Sequence, residues 1–328
     1  MLDDRKSAIL RAVVQQYIET AQPVGSSAVA ERADVRVSSA TVRNDMTVLE
    51  RDGYLVQPHT SAGRIPTEKA YRFFVDGLGG PGELSPANVR MVREFFRTAH
   101  GEIEQRLRET SHLLSSVTGS AAMVVAAPGT ATDVRAVQLV DLSPRVVLAV
   151  GVMSDGTVVK RTIDLPDELD RDGLAAAQQR LDGLLDRPGA APAVAPGAGV
   201  DLAALALEEV RGAATDGPEQ VYVDGASRIA GSFDARETIE AVLGILEQQY
   251  VVVSLLKDLV ESGLRVAIGS ETGVAPLSEC SLIVAPYGDG TDHRGAIAVL
   301  GPTRMNYPET VSAVAVVSER LNQMLTEG

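Results

Sequence analysis

Residues 38 to 66 constrain the fold more than any other part of the chain, because a helix start, a helix end and a hairpin follow one another closely. Ser38 or Ser39 can cap a helix, since a serine hydroxyl accepts a hydrogen bond from a free N–H group of the first turn. Apolar residues then recur at helical spacing, at Val42, Met46 and Leu49. Gly53 is suited to end this helix in the left-handed conformation. Two short strands around a polar turn at Gly63 follow, so the stretch predicts a helix beside a small hairpin.

The residues on either side predict three more helices. The first begins after the acidic pair Asp3–Asp4 and ends before Pro23, and a second, short helix opens at Gly25. The apolar stripe of the first helix consists of Leu10, Val13, Val14, Tyr17 and Ile18. After the hairpin, Thr67 caps a fourth helix. A helix-turn-helix followed by such a hairpin predicts a winged helix-turn-helix domain over residues 1–78.

The outward face of the third helix carries side chains that can read DNA. Arg43 can bind guanine in a bidentate manner, and Asn44 can bind adenine, in the major groove. The hairpin tip has the polar composition expected for contacts to phosphate or the minor groove. The predicted DNA-binding residues are Ser38, Ser39, Ala40, Thr41, Arg43, Asn44, Thr47, His59, Thr60, Ser61 and Arg64. On spacing alone, an ordinary three-helix module that touches no DNA is an open alternative.

The charge distribution permits DNA binding although the chain is acidic. The sequence has 30 Lys and Arg against 44 Asp and Glu, a formal net charge of −14. As an average this charge disfavours nucleic acid, because binding to phosphate is driven largely by basic side chains. Residues 1–76, however, contain 10 basic and 10 acidic residues, so the net negative charge lies in the remainder. A neutral N-terminal module can present a local basic face.

The rest of the chain predicts an α+β protein. A glycine-rich hinge opens a helical linker over 79–120. From residue 121 the pattern changes to strand-like runs, which are AAMVVAA, VRAVQLVDL, RVVLAVGV and TVVKRTI. The Pro/Ala/Gly stretch at 187–200 cannot form a packed core and predicts a flexible excursion. Strands and helices return from residue 221, and a final helix is predicted from about Pro308 to Leu325.

Composition predicts a cytoplasmic protein without a membrane span. No apolar run approaches the ~20 residues that a spanning helix needs, and the first residues lack the features of a secretory signal. The single cysteine, Cys280, excludes an internal disulfide framework and a CxxC metal site. Its place beside a strand favours a small buried residue over a nucleophile.

Possible enzymatic motifs have simpler explanations. The segment GSETG at 269–273 predicts a strand-to-helix turn rather than a phosphate loop, because neither GxxxxGK[ST] nor GxGxxG is present. Asp289, Asp292 and His293 could ligate a metal, but a polar hairpin loop accounts for them. The remaining helical histidines, His100 and His112, have no visible partner in the sequence. We therefore expect no catalytic residues, no metal and no cofactor.

Two long runs resemble a known family. The run VGSSAVAERADVRVSSATVRNDMTVLERDGYLVQPHTSAGRIPTEKAYRFFVDGL closely resembles the N-terminal signature of the bacterial heat-inducible transcription repressor family HrcA. The run ECSLIVAPYGDGTDHRGAIAVLGPTRMNYPETVSAV resembles the C-terminal segment of the same family, at the right distance and in the right order. The resemblance covers the whole chain in outline, while the middle matches loosely.

The resemblance implies a fold for the remainder of the chain. It implies a GAF-like α/β-sandwich domain, here 121–162 with 219–328, and an inserted dimerisation subdomain at 163–218. The Pro-rich stretch in that insert departs from the more ordered pattern of the family. The segment GPTRMNYP at 301–308 matches a hallmark of the family. Physically it is suited to a structural joint between a strand and the last helix, with a regulatory or interface surface as the alternative.

The resemblance also implies a function. The family binds double-stranded DNA as a homodimer at an inverted-repeat operator upstream of chaperone operons, is kept active by a GroE-type chaperonin, and loses activity on heat stress. Two-fold symmetry suits an inverted repeat. Two alternatives stay open: a metabolite-responsive winged-helix regulator with a ligand in the GAF-like domain, and an enzyme with an accessory winged helix.

Overall fold

The computed structural model divides the chain into two compact units. The first comprises Met1–Ala99, Leu107–Val125 and Val221–Gly328, and the second comprises His100–Arg106 and Ala126–Gln220. The structure describes residues 2–32, 35, 37–59, 62–98, 103–126, 134–153, 158–185, 201–215, 220–233, 235–260, 263–289 and 292–327. Helices and sheets occur together in both units, which confirms the mixed α+β class.

The described residues form helices and strands with the following bounds. The α-helices are α1 Asp4–Thr20, α2 Ser26–Ala30, α3 Ser39–Arg51, α4 Glu68–Asp76, α5 Pro86–Thr98, α6 Ile103–Thr118, α7 Arg171–Leu185, α8 Leu202–Thr215, α9 Ala226–Ala230, α10 Arg236–Glu247, α11 Gln249–Val260 and α12 Tyr307–Glu327. The strands are β1 Leu55–Val56, β2 Ile65–Pro66, β3 Ala121–Ala126, β4 Val134–Ser143, β5 Val146–Met153, β6 Val158–Asp164, β7 Gln220–Asp224, β8 Arg265–Ile268, β9 Cys280–Asp289 and β10 Asp292–Pro302.

The N-terminal part of the first unit contains α1 to α4 with β1 and β2, in the predicted order. The Asp3 carboxylate caps α1 by accepting a 2.8 Å hydrogen bond from the Lys6 N–H group. Gly53, at φ 79°, follows α3 and turns the chain into β1. The buried side chains include Ile9, Leu10, Val13, Val14, Val29, Val42, Leu49 and Leu55. The apolar stripes of α1 and α3 therefore supply most of this core.

The small hairpin is anchored to the loop between α1 and α2. Strands β1 and β2 pair antiparallel, with Leu55 opposite Pro66. Arg64 exchanges two backbone hydrogen bonds of 2.9 Å with Val24. A Cβ atom at Gly63 would lie 2.5 Å from the carbonyl carbon and oxygen of Val24. Glycine is needed here because the two backbones approach so closely.

The C-terminal part of the first unit is built on a five-stranded sheet of order β7-β3-β10-β9-β8. Strands β9 and β10 form its long antiparallel centre, and β8 pairs antiparallel with β9. The side chains of Leu282, Val284 and Ala298 pack in a core with those of α10 and α11. The last helix, α12, packs against β9 and begins at Tyr307, next to the predicted Pro308.

The second unit has a sheet of its own. Strands β4, β5 and β6 form a three-stranded antiparallel sheet in that order, and α7 and α8 pack on one of its faces. The buried residues between sheet and helices include Val137, Leu139, Val147, Ala149, Ile163, Leu181, Ala206 and Val210. Successive side chains of a strand point to opposite sides of the sheet, so the alternate residues of β4 to β6 form an outer face.

The strands between residues 121 and 164 do not all join one sheet. The resemblance implies that 121–162 belongs with 219–328, but of these strands only β3 joins the five-stranded sheet, and 134–164 pairs within itself. An alternating apolar pattern indicates strands without saying which sheet they join. Short connections favour pairing between neighbours in sequence, which explains the separate sheet. The Pro/Ala/Gly stretch at 187–200 lies outside the described residues.

No single helix among the described residues is long and apolar enough to cross a membrane. One bent pair of segments, Arg236–Glu247 with Tyr250–Lys257, meets the length and composition requirement together.

Candidate nucleic-acid interface

Helix α3 begins with the cap that the sequence predicts. The Ser38 Oγ atom accepts a 3.2 Å hydrogen bond from the Thr41 N–H group and lies 3.0 Å from the Thr41 hydroxyl. This reciprocal contact fixes the start of the helix, because it satisfies a backbone donor that has no partner within the first turn. Thr41 is half-buried, and Ser38 is exposed.

The outward face of α3 is polar and available. The exposed residues of this face are Ser39, Ala40, Arg43, Asn44 and Thr47. The Thr47 hydroxyl donates a 3.0 Å hydrogen bond to the Arg43 carbonyl oxygen within the helix. Within the described part of the chain, the side chains of Arg43 and Asn44 have no hydrogen-bond or ion-pair partner. Their donors and acceptors are therefore free for an external ligand.

The orientation of α3 is fixed by an ion pair that sequence reasoning misses. Asp45 is 6 % exposed, and its Oδ2 and Oδ1 atoms accept hydrogen bonds of 2.8 and 3.3 Å from Nε and Nη2 of Arg5 on α1. A buried carboxylate needs such a partner, because leaving water is costly for a charge. The sequence does indicate that Asp45 is buried, because it lies in the apolar stripe of α3, three residues after Val42 and four before Leu49.

The two predicted hairpin residues that the structure describes differ in exposure. His59 is exposed, whereas Thr60 and Ser61 lie outside the described residues. The Arg64 side chain is 16 % exposed, and its Nε atom donates a 2.9 Å hydrogen bond to Oε2 of Glu50 on α3. Arg64 thus ties the hairpin to α3 in this structure. Its contact with DNA stays a prediction.

The arrangement is chemically suited to the major groove. Residues 38 to 40 are small, so the start of α3 can approach a base pair closely. The planar Arg43 guanidinium can donate two parallel hydrogen bonds to a guanine edge. The Asn44 amide can both donate to and accept from adenine. The Asp45 contact to α1 holds the helix that carries both side chains in one orientation.

The GSETG segment is a turn, as predicted. Residues Gly269–Thr272 form a 3₁₀ turn, and Gly269 has φ 55°. The Ser270 N–H group donates a 3.1 Å hydrogen bond to the Glu68 carboxylate of α4. A phosphate would therefore have to displace an anion that the chain itself supplies.

Cys280 is buried, as predicted. Burial, followed by the nearby charge of Glu279, raises the pKa of the Cys280 thiol to about 12. The residue is therefore a thiol at neutral pH and is a poor nucleophile, because the thiolate is the reactive form.

The histidines and acidic residues give no metal centre among the described side chains, where no group of three or more His, Cys, Asp or Glu could hold an ion. The His112 Nδ1 atom lies 2.8 Å from Oδ2 of Asp224, a partner that the sequence does not reveal. His100 and the side chains of Asp289, Asp292 and His293 lie outside the described residues.

The chain is similar to HrcA repressors along its whole length. Residues 104–311 match the family model of the HrcA protein C terminal domain. The heat-inducible transcription repressor HrcA of Rhodococcus jostii is 39 % identical over 345 residues, which cover 99 % of both chains. That of Streptomyces avermitilis is 36 % identical over 340 residues and 100 % of both chains.

A solved structure supports the fold. The crystal structure of a hypothetical protein at 2.2 Å resolution aligns with 100 % of this chain and 99 % of its own, with a TM-score of 0.64 and 24 % sequence identity. At this identity the likeness concerns the fold alone.

Proposed function

The chain belongs to the HrcA family of heat-inducible transcription repressors, and we propose that it represses chaperone operons by binding an inverted-repeat operator as a dimer. In this proposal heat stress lowers the active population and so derepresses the operons. The observation that carries the proposal is the free polar face of α3. Arg43 and Asn44 are exposed and unpartnered among the described residues, on a helix that Asp45 and Ser38 hold in place.

The proposal assigns roles to the two parts of the first unit. The N-terminal part acts as a winged helix, with α3 in the major groove and the β1–β2 hairpin at the adjacent backbone. Ser38, Ser39, Ala40, Thr41, Arg43, Asn44, Thr47, His59, Thr60, Ser61 and Arg64 are the proposed contacts. The five-stranded sheet with its helices is the GAF-like domain. No cofactor takes part, and the protein acts in the cytoplasm.

The second unit is proposed to form the homodimer. The outer face of its sheet carries exposed apolar side chains: Val140, Leu142 and Val158 are 39, 55 and 54 % exposed. On this face Val140 is opposite Leu148, and Val152 is opposite Val158. Polar side chains share the face, which are Gln138, Lys160, Thr162 and Asp164. Exposed apolar side chains grouped on one face are typical of a protein interface. A two-fold axis through such a face would match the symmetry of an inverted repeat.

In this proposal the GroE-type chaperonin controls how much repressor is folded and active. Proteins are marginally stable, so a change of one or two kcal/mol shifts the ratio of folded to unfolded protein by a factor of about 5 to 30. A chaperonin that returns unfolded repressor to the active state maintains repression until heat occupies it with other clients. Repression then falls without any dedicated ligand.

The proposal is tested by titrating the full chain onto the inverted repeat and onto a scrambled duplex over a range of salt. The expected preference for the repeat is at least about 10³-fold, the lower end for specific DNA-binding proteins. Addition of the chaperonin to heat-treated protein is expected to restore this preference. Equal affinity for both duplexes would contradict the proposal, and a saturable effect of a small metabolite would favour the ligand-responsive alternative.

A further inference from the structure

Helix α4 is held against the C-terminal part of the first unit by a charged contact. The Arg72 Nε atom donates a 2.9 Å hydrogen bond to Oε1 of Glu271, and Nη2 donates to Oε2 of the same carboxylate. Nη2 also donates a 2.7 Å bond to the Val266 carbonyl oxygen. We call Glu68, Arg72, Val266, Ser270 and Glu271 the α4 seat. The two forked groups match in geometry, which restricts their relative orientation more than a single ion pair would.

Glu68 supplies the second half of the α4 seat. Its Oε1 atom accepts a 3.1 Å hydrogen bond from the Ser270 N–H group, and Oε2 accepts one from the Ser270 hydroxyl. A Cβ atom at Gly269 would overlap the Glu68 carboxylate. The turn at 269–272 is therefore shaped to receive α4, since glycine alone leaves that space and tolerates φ 55°.

The Glu271 carboxylate is fixed from both sides of the contact. It accepts a 2.9 Å hydrogen bond from the Ile268 N–H group in addition to those from Arg72. Burial opposes its ionisation, but the hydrogen bonds from Arg72 and Ile268 outweigh burial and keep the pKa of Glu271 below its usual range. Glu271 is therefore charged at neutral pH, as the contact requires.

The start of α4 is also fixed to the end of α3. The Thr67 hydroxyl lies 2.8 Å from the Gly53 carbonyl oxygen and 3.0 Å from that of Tyr54. Lys69 donates a 2.8 Å hydrogen bond to the Asp52 carbonyl oxygen, and its ammonium group lies 4.3 Å from the centroid of the Tyr54 ring. A chain of direct contacts thus runs from α3, through α4, to the turn at 269–272.

We propose that the α4 seat sets the orientation of α3 in the dimer and thereby selects the spacing between the two half-sites. The inference rests on the proposed function. Arg72, Glu68 and Glu271 are positioning residues, because they reach DNA only through α3. The outward residues of α3 remain exposed while the α4 seat is formed, so the contact does not block the DNA-binding face. In dimeric helix-turn-helix proteins the distance and rotation between recognition helices define the operator.

The test uses the full chain and a series of duplexes in which the spacer of the inverted repeat is changed by about one to three base pairs, each rotating a half-site by roughly 35°. The variants are Arg72→Met and Glu271→Gln, with the reversed pair R72E/E271R as rescue. Asp76→Asn is the matched control: Asp76 contacts Arg72 at 3.3 Å but lies outside the α4 seat. A single half-site duplex reports the intrinsic affinity of α3.

The wild-type chain and Asp76→Asn are expected to prefer one spacing by about tenfold or more, which corresponds to about 1.4 kcal/mol. For Arg72→Met and Glu271→Gln, the affinities for duplexes of neighbouring spacing are expected to lie within about threefold of one another, with the half-site affinity unchanged. The reversed pair R72E/E271R is expected to restore the preference for one spacing. If Arg72→Met is unfolded by circular dichroism, Glu68→Gln takes its place.

An unchanged spacing profile in the single variants would overturn the inference, and so would a large gain in half-site affinity, which would indicate a blocking contact. Neither result touches the proposed function. That proposal fails separately, if the wild-type chain shows no preference for the inverted repeat over the scrambled duplex.

Discussion

The outward face of α3 and the inner face of α4 carry similar polar side chains in opposite situations. Arg43 and Asn44 have no partner among the described residues, whereas Arg72 and Glu68 are each engaged by groups about 200 residues away in sequence. Exposure alone does not separate a binding surface from a structural one. The presence of internal partners does, because an engaged guanidinium must give up its bonds before it can bind a ligand.

We expect the largest effect from the Arg5–Asp45 ion pair, because Asp45 lies on the buried side of α3, opposite the free face. Arg5→Met leaves the 6 % exposed Asp45 carboxylate without its partner. We expect the free energy of unfolding, measured by urea denaturation, to fall, because a buried carboxylate without a partner is costly. The double variant Arg5→Met with Asp45→Leu should recover most of the loss. Equal destabilisation of the single and double variants would show that packing, not charge, matters there.

Tyr71 on α4 and Tyr307 on α12 allow a hydroxyl without a hydrogen-bond partner among the described residues to be compared with one that has partners. The rings of Tyr71 and Tyr307 lie 5.9 Å apart, and both are buried. The Tyr307 hydroxyl lies 2.7 Å from the Ser281 hydroxyl and donates to the Thr303 carbonyl at 2.7 Å, whereas the Tyr71 hydroxyl has no partner among the described residues. Tyr307→Phe should lower the free energy of unfolding by about 1 kcal/mol and Tyr71→Phe should raise it by a similar amount. A loss of stability in both variants would contradict this account.

We expect the smallest effect when Arg64 is released from its ion pair with Glu50. Glu50→Ala removes the partner of Arg64 in the hairpin. We expect affinity for any duplex to rise about threefold and the salt dependence to steepen by about one unit, because one more cation reaches phosphate. Glu31→Ala removes the same charge from an exposed site on the same part of the chain and should change neither quantity by as much. Identical behaviour of the two variants would show that Arg64 does not approach DNA.

Short-range features of the fold were predictable from the sequence. The Ser38 cap, the left-handed Gly53 and the start of α12 depend on residues within a few positions of one another, so local chemistry determines them. The exposed side of α3 follows from the same periodicity. The GPTRMNYP segment contributes Tyr307 to the contact with α4, which agrees with its interpretation as a structural joint.

Pairings between distant residues were not predictable. Arg5 and Asp45 are 40 positions apart, and Arg72 and Glu271 are 199 apart. A pattern of charges in one sequence does not identify such partners. The separate sheet of β4 to β6 was missed for the same reason. Alternating apolar and polar residues indicate a strand but do not identify the strand that pairs with it. The ion pair of Arg64 was missed because its partner, Glu50, lies 14 positions earlier, on α3.

Whether the free face of α3 reads the operator is decided by the ratio of affinities for the inverted repeat and a scrambled duplex. Arg43→Ala is compared with Arg236→Ala, which removes an exposed arginine from α10. We expect Arg43→Ala to lower the ratio by about 10- to 100-fold per half-site, the worth of one bidentate base contact, while the dimer persists and Arg236→Ala leaves the ratio unchanged. If the ratio is the same in Arg43→Ala as in the wild-type chain, α3 does not read the operator through Arg43.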